Sequence, residues 1–338
     1  MASVRDIAKQ AGVSITTVSR VLNNHPSVSE QARQKVLTAV NTSKEASSPT
    51  KRSLDNIALV YTGESSLGSA FDAALTQGIS CQLEVSGYDL MVINAQRARQ
   101  EGETFTQMFQ RKGIRGAIIR TTTATRWQCV EIARESFPAV VVADRFDEPE
   151  VSFIRSDASN ASRRAVEMLL NLGHKQIAVV TNVVDDHDHA ERLEAYNQAL
   201  REAGVAFDPR LVVRVPAYID GGTLAYRQIQ CMNPKPTAVF VIDPYTSLGL
   251  VNEAMRSGIR VPEDLSIVGF NDAPQHMVTF PQLTTVAQDA EVLGREAFNM
   301  LQALLRQTGD ALVARKTLEC WLEVHETTAS PDNNTAAS

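Results

Sequence analysis

Between Ser14 and Asn23 the chain reads SITTVSRVLN, and Val18, Val21 and Leu22 are its apolar repeat. Left outside are Ser14, Ile15, Thr16, Thr17, Ser19, Arg20 and Asn23, short hydrogen-bonding side chains with one guanidinium and one apolar group. The chemistry open to them is recognition. An arginine fork matches two acceptors on a guanine edge, an isoleucine packs a thymine methyl, and hydroxyls and amides hold phosphate oxygens. A second set of polar residues stands at the ends of strand-like runs. Leu67, Ser69 and Phe71 follow IALVYT (57–62), Arg120 falls in GAIIRT (116–121), and Asp144 ends AVVVAD (139–144). Arg192 opens a helical run, Asp243 ends AVFVID (238–243), and Asn271 follows LSIVGF (265–270). Carboxylate, guanidinium and amide groups gathered in one place bind hydroxyls in fixed directions, which suits a small polar ligand, a sugar or related metabolite. Equally open is a structural reading in which some of these charges cap helices or pair with one another.

The first set needs a small helical head to present it. Ser3 with Asp6 makes a capping-box-like start, and Ile7, Ala8 and Ala11 give a first helix its apolar stripe. Gly12 ends that helix, Val13 fills the angle, and the Ser14 hydroxyl can start the second helix by accepting from an orphan N–H. A third helix from the Ser29 cap to about Val40, with Ala32, Val36, Ala39 and Val40 on one face, closes a head spanning residues 1–42. A plain helical bundle would explain the apolar positions but has no use for the exposed polar face. Charge agrees with a reading module: residues 1–52 carry +5 and the remainder −11, for an overall −6. A basic head on an acidic body confines phosphate attraction to the part that reads DNA.

The motifs Asp6-Ile7-Ala8, Ala11-Gly12-Val13-Ser14, Thr17-Val18-Ser19-Arg20-Val21-Leu22-Asn23 and Val28-Ser29 resemble the opening of the lactose/galactose repressor (LacI/GalR) family of bacterial transcription regulators. The resemblance continues through Leu172-Gly173-His174, Thr237-Ala238-Val239, Val261-Pro262-Glu263-Asp264-Leu265-Ser266, Val268-Gly269-Phe270 and Leu283-Thr284-Thr285, and so spans nearly the whole chain. It implies a homodimer on a roughly palindromic double-stranded DNA operator, controlled by a small-molecule effector. Ile15, Thr16 and Arg20 would read base edges; Thr17, Ser19, Asn23 and Arg33 would hold phosphates. The implied body is periplasmic-binding-protein-like, an effector-binding domain over residues 57–328. Its lobe N spans about 57–155 plus 287–311 and lobe C about 156–286 plus 312–328, with crossings near 155, 286 and 312. By the same resemblance Asp144, Arg192, Asn271 and Gln288 fall where family members touch their effector, although Asp is more usual than Asn at 271. The helix at 69–85 and the region after 270 are the implied dimer face.

One stretch departs from the family. The connector, residues 43–56, lacks the expected Gly-Tyr-x-Pro-Asn signature, while Arg52-Ser53-Leu54 matches the end of the family hinge. Leu54 is then either a wedge that unstacks a base step in the minor groove or the residue that leads into the body.

From Ile57 onward strand-like runs alternate with helical segments at 69–85, 158–172, 190–203, 221–231, 246–257 and 291–306, which predicts parallel sheets with right-handed crossovers. The expected fold class is therefore a small all-α helix-turn-helix head joined to an α/β body of two Rossmann-like lobes. Ligands settle beyond the carboxyl ends of such strands, where the second polar set lies. No run of 18 apolar residues and no signal peptide is present, so a cytoplasmic protein that spans no membrane is expected. Cys81, Cys129, Cys231 and Cys320 are far apart and read as reduced, mostly buried small hydrophobes. Asp185-Asp186-His187-Asp188-His189 contains metal-ligand types, but neighbouring residues rarely converge on one ion; a solvated acidic cap of the following helix is the other reading. Neither a G-x-S-x-G nor a G-x-x-x-x-G-K-[ST] motif occurs, so neither an enzyme nor a cofactor or metal is expected. A sugar-binding protein or enzyme on the same bilobed fold would explain the body but not the head; a nucleoid-type DNA organiser would explain the head but not the polar cleft. The tail, 329–338, has no leucine heptads and is expected to be disordered.

Overall fold

The computed structural model describes residue 8, residues 11–22, 32, 35–36, 56–64, 66–272, 279–306 and 313–331. The chain divides into two compact units, Met1–Leu54 and Asp55–Ser338. In the first, Ala8, Val18, Val21 and Val36 form a buried cluster with Ala11 and Val13 against it, the interior that the apolar spacing predicts. Asn23, Arg33 and Leu54 lie outside the described residues, as do the side chains of Ser19 and Leu22 and most of the connector.

The second unit is built on two sheets. The strands β1 (Asn56–Tyr61), β2 (Asp89–Asn94), β3 (Ile114–Arg120), β4 (Ala139–Val142), β5 (Phe153–Asp157) and β11 (Arg315–Glu319) form one, in the order β11-β5-β4-β3-β1-β2 and parallel throughout. The other holds β6 (Ile177–Asn182), β7 (Val212–Val215), β8 (Ala238–Val241), β9 (Ser266–Asn271), β10 (Thr284–Ala287) and β12 (Trp321–Glu323), in the order β12-β10-β9-β8-β6-β7, with β12 antiparallel. Helices cover both faces of each sheet, which is why the central strands read as unbroken apolar runs. Ile57, Leu59 and Tyr61 of β1 pack with Leu75, Ile79 and Phe298, while Ala58 and Val60 pack with Met108, Phe109 and Ile132 on the opposite face. In the second sheet Ile177 and Val179 face one core, Ala178 and Val180 the other.

Both lobes bring two helices to backbone contact through glycine. A Cβ at Gly78 would sit 1.9 Å from the Glu291 carbonyl oxygen, and one at Gly294 2.1 Å from that of Leu75, so helices Ala70–Ser86 and Ala290–Arg306 cross where no side chain fits. In the other lobe Gly222 and Gly249 do the same for helices Ile219–Gln230 and Pro244–Arg256, at 2.2 Å from Thr246 O and 2.0 Å from Ile219 O.

Several boundaries move from those the sequence suggests. The chain crosses between the sheets at Ala158, at Gln288-Asp289 and at Cys320, rather than near 155, 286 and 312, because β11 pairs with β5 in the first sheet up to Glu319. Asn56 belongs to β1 and not to the connector, pairing with Asp89 and Ile114. The start of the tail is anchored: Ala329 N–H donates to Ser266 Oγ at 3.0 Å, and its carbonyl accepts from His174 Nε2 at 2.9 Å. Residues 332–338 lie outside the described residues. All four cysteines are free thiols; Cys129 is buried, but Cys81 and Cys231 are exposed, one on the outer side of a helix and one at a helix C-cap. Among the described residues no helix is long and apolar enough to cross a membrane.

Candidate functional site

In the head, Gly12 takes a left-handed φ of +64°, which lets the chain turn sharply into the next helix, Ile15–Leu22. Ser14 Oγ accepts from Thr17 N–H at 3.1 Å, the cap its position calls for. The same oxygen lies 2.8 Å from Thr17 Oγ1, so the Thr17 hydroxyl already has a partner inside the helix start. With Val18 and Val21 buried, Ser14, Ile15, Thr16 and Arg20 remain exposed, Ile15 to 50%.

In the second unit the carboxyl ends of both sheets open onto one cavity of about 360 Å³, in the range of small-molecule sites. The first lobe contributes Tyr61, Glu64, Ser66, Ser69, Phe71 and Arg120; the second contributes Asp186, Asp188, His189, Arg192, Tyr218, Asp243, Asp272 and Gln288. Of the residues expected from the sequence, Ser69, Phe71, Arg120, Arg192, Asp243 and Gln288 meet there. Leu67 lies in an exposed turn and does not line the cavity. Asp144 is buried elsewhere: its carboxylate pairs with Arg126 Nη1, accepts from Arg145 N–H at 2.7 Å, and lies 3.9 Å from His187 Nδ1. Asn271 ends β9 as a buried residue, and the next residue, Asp272, lines the cavity in its place. Successive strand residues point to opposite faces, so a one-residue displacement changes which side chain is presented.

Arg120 donates from Nε to Asp72 Oδ1 at 2.9 Å and from Nη1 to the Val142 carbonyl at 3.3 Å, with its guanidinium 4.4 Å from the Phe71 ring centre. Arg192 donates to the Ile242 carbonyl at 3.0 Å, lies 3.6 Å from the Phe270 ring centre, and approaches Asp188 Oδ2 at 3.7 Å. Asp186 is the N-cap of helix His187–Glu202, accepting from His189 N–H and from its Nδ1, each at 2.8 Å. Burial opposes charge at both members of this pair, yet their mutual attraction and bonding hold Asp186 well below the usual carboxylate range and His189 above the usual imidazole one. Burial dominates at Asp188, whose carboxyl is pushed up to about 7. It also dominates at Asp272, pushed up to about 6 although Gln288 Nε2 donates to it. The segment expected to be a solvated acidic cap therefore caps its helix but is solvated mainly at its start: the Asp185 side chain is 77% exposed, whereas Asp188 and His189 turn into the cavity wall, side chains 12% and 14% exposed. Among the described residues no group of three or more His, Cys, Asp or Glu is placed to hold a metal ion.

Tyr61, Glu64, Ser66 and Tyr218 are cavity residues that the strand-end argument leaves out. Asp188, His189 and Asp272 had a signal, since each follows a strand whose end had been found. Tyr218 had none, because the turn that carries it has no periodicity. Two contacts also join the lobes at the rim: Thr123 N–H donates to the Asp185 carbonyl at 3.1 Å, and Asp144 faces His187.

Two α/β lobes with a polar cavity between their strand ends define a ligand-binding body of the periplasmic-binding-protein type, and a helix-turn-helix head on the same chain makes it a ligand-responsive regulator. Comparison with known proteins agrees in both parts. The family described as bacterial regulatory proteins, lacI family, matches residues 3–44, and the periplasmic binding protein-like domain matches residues 146–328. The chain is similar to the HTH-type transcriptional repressor CytR of Escherichia coli K12, 31% identical over 305 residues and covering 89% of both chains. It is also similar to the HTH-type transcriptional repressor PurR of Vibrio atlanticus, 29% identical over 89% of this chain and 91% of that one. Among solved structures, a complex of the transcriptional regulator CelR with cellobiose matches with a TM-score of 0.67 at 27% identity, over 97% of this chain and 100% of the other. The chain belongs to the LacI family and is a DNA-binding transcriptional regulator.

Proposed function

We propose that the chain acts in the cytoplasm as a repressor: a homodimer on a roughly palindromic operator, controlled by a small polar metabolite such as a sugar held between the two lobes. The observation that carries this reading is that one chain joins an exposed Ile15-Thr16-Arg20 face to a cavity walled by buried hydrogen-bonding groups. Arg20 forks onto a guanine and Ile15 packs a thymine methyl, with Thr16 beside them, each good base contact being worth about 1–3 kcal/mol of discrimination. Ser14, Thr17, Ser19, Asn23 and Arg33 fix register on phosphates, and Leu54 is the candidate minor-groove wedge. A single helix-turn-helix covers one half-site, so pairing supplies the second.

In the cleft, Ser69, Phe71, Arg120, Arg192, Asp243, Asp272 and Gln288 are the effector contacts. The acids, base and guanidinium groups there bond one another or cap helices, an arrangement suited to binding rather than turnover. Effector occupancy changes lobe closure and with it the spacing of two heads, which requires different effector affinity in the two states, typically by about 1–3 kcal/mol. Footprinting of Arg20→Ala tests the DNA half. Sequence preference should relax more than nonspecific binding falls, and an unchanged footprint on the native operator would remove Arg20 from the reading set.

A further inference from the structure

The charge of the cavity constrains its occupant more tightly than its size does. Glu64, Asp186, Asp188, Asp243 and Asp272 line it against Arg120, Arg192 and His189, and Arg120 is already matched by Asp72 at 2.9 Å. Three helices begin at this cavity, and helix N-termini ordinarily draw anions. Here each is closed by its own chain: Ser69 Oγ accepts from Asp72 N–H at 3.1 Å, Asp186 from His189 N–H at 2.8 Å, and Asp243 from Thr246 N–H at 2.8 Å. Asp72 and Asp188 then occupy the first turns of two of these helices. A phosphate or carboxylate entering the cavity meets capped helix ends and an excess of like charge.

The unmatched groups point the other way. Asp188 Oδ1, Gln288 Oε1, Arg192 Nε, His189 Nε2 and the Tyr61 hydroxyl are buried without a hydrogen-bond partner, in residues that line the cavity. Gln288 and Arg192 are only 4% and 5% exposed, so bulk water does not serve them. Two acceptors and a guanidinium donor, with the His189 ring nitrogen and the Tyr61 hydroxyl beside them, amid surplus carboxylate match a body with several hydroxyls that both donates and accepts and carries positive charge.

We propose that the effector is a compact hydroxylated amine, an amino sugar or a similar polyol with one protonated nitrogen, with Asp188 and Asp272 as the specificity-determining anchors of the ammonium group and Arg192 Nε donating to a hydroxyl oxygen. This rests on the reading of the cleft as an effector site. Asp188 is faced by Arg192, Asp186, Arg120 and His189, with Arg155 and the Cys320 thiol beyond them. Asp272 is faced by Arg192, Gln288, Asp243, His189 and the same thiol. Burial holds both carboxyls above their ordinary range, so an arriving ammonium expels protons from them. Amine affinity then rises with pH, while a neutral sugar binds with little pH dependence and an anion binds more weakly as pH rises.

The test is titration calorimetry and thermal shift on the full chain at pH 5 and pH 7, a window below the titration of the amine itself at about 8. The panel is glucosamine, galactosamine and mannosamine with other hydroxylated amines, the parent neutral sugars, and the sugar phosphates. At least one amine should raise the melting temperature, bind about tenfold tighter at pH 7 than at pH 5, and release protons, read as a binding heat that varies with the ionisation heat of the buffer. Asp188→Asn should weaken that binding about 30-fold or more and flatten its pH dependence. The melting temperature without ligand reports whether the variant folds; Asp272→Asn is the substitute if it does not. Binding of a neutral sugar or a sugar phosphate without binding of any amine overturns the proposal and leaves the effector reading standing. No response to any member of the panel overturns both.

Discussion

The two lobes make the same construction at the mouth of their sheets and finish it differently. In the first, Arg120 lies over Phe71, bonds the Val142 carbonyl just past one strand, and has Asp72 at hydrogen-bond distance, 2.9 Å. In the second, Arg192 lies over Phe270 and bonds the Ile242 carbonyl, but its carboxylate, Asp188, stands off at 3.7 Å and Nε has no partner. A guanidinium bonded at both Nε and Nη1, as Arg120 is, is held firmly in place. One left short in a buried wall has capacity for a ligand, since an unmatched buried donor costs about 1–3 kcal/mol until something meets it. The first lobe thus offers a guanidinium tied to its own carboxylate and the second one with an open donor, while at the cavity the first lobe's unmatched buried group is the Tyr61 hydroxyl.

The sharpest way to break this comparison is to remove each arginine in turn. Arg120→Met strands the fully buried Asp72 and should cost about 3–5 kcal/mol of stability, read by urea denaturation. Arg192→Met should cost clearly less, because Asp188 can take up a proton, yet it should abolish effector response in a gel shift; equal losses of stability would mean that the two arginines are equivalent. Next in size are the helix crossings. Gly78→Ala and Gly222→Ala both drive a methyl into a backbone carbonyl and should each cost about 1–3 kcal/mol or more. If one lobe tolerates its alanine, the frames are less alike than the contacts indicate.

A subtler difference is in pH dependence. The unfolded carboxyls of Asp188 and Asp272 titrate near 4, whereas in the fold they titrate at about 7 and about 6 because of burial. The folded state therefore holds these protons more tightly, and their contribution to stability, present at low pH, is lost as pH rises from about 4 to about 7. Asp186, held low by His189, acts in the opposite sense only at more acid pH. Asp188→Asn should flatten the fall and raise stability at pH 8 by about 1–3 kcal/mol, seen as a higher melting temperature without ligand. The smallest expected effect is at Leu67, exposed and away from the cavity. Leu67→Ala should leave effector affinity and stability within about 0.5 kcal/mol of the parent.

What the chain declares in advance follows the strength of its local periodicity. The head core of Ala8, Val18, Val21 and Val36 was legible because two buried valines three residues apart on a short helix leave few alternatives. The central strands were legible because burial on both faces demands unbroken apolar runs. The strands FIRSD and RKTLE were not, since one hides a buried arginine paired with Glu191 at 2.6 Å and the other is a largely exposed edge. In the cleft, Asp243 could be found from a strand end, since it caps the helix that follows, whereas Arg192 sits in the second turn of its helix. Asp144 misled because a carboxylate after a strand is equally at home in an ion pair, here with Arg126. The substitution of Asp272 for Asn271 turned on a pleat phase that composition does not encode.

One connection has a mechanical meaning. Among the described residues the chain passes between the sheets through Ala158, through Gln288-Asp289 and through Cys320, so a turn of one lobe against the other falls on dihedrals packed into these few residues. Gln288 stands in one of these passages and also in the cavity wall, with Asp272 on its amide nitrogen and nothing on its oxygen. A molecule that bonds that oxygen presses on the fulcrum itself and not on the end of an arm. Its leverage over the angle between the lobes then comes from torque applied at the axis, and a ligand that reaches Gln288 would set that angle while a look-alike that stops short of it would merely occupy the space.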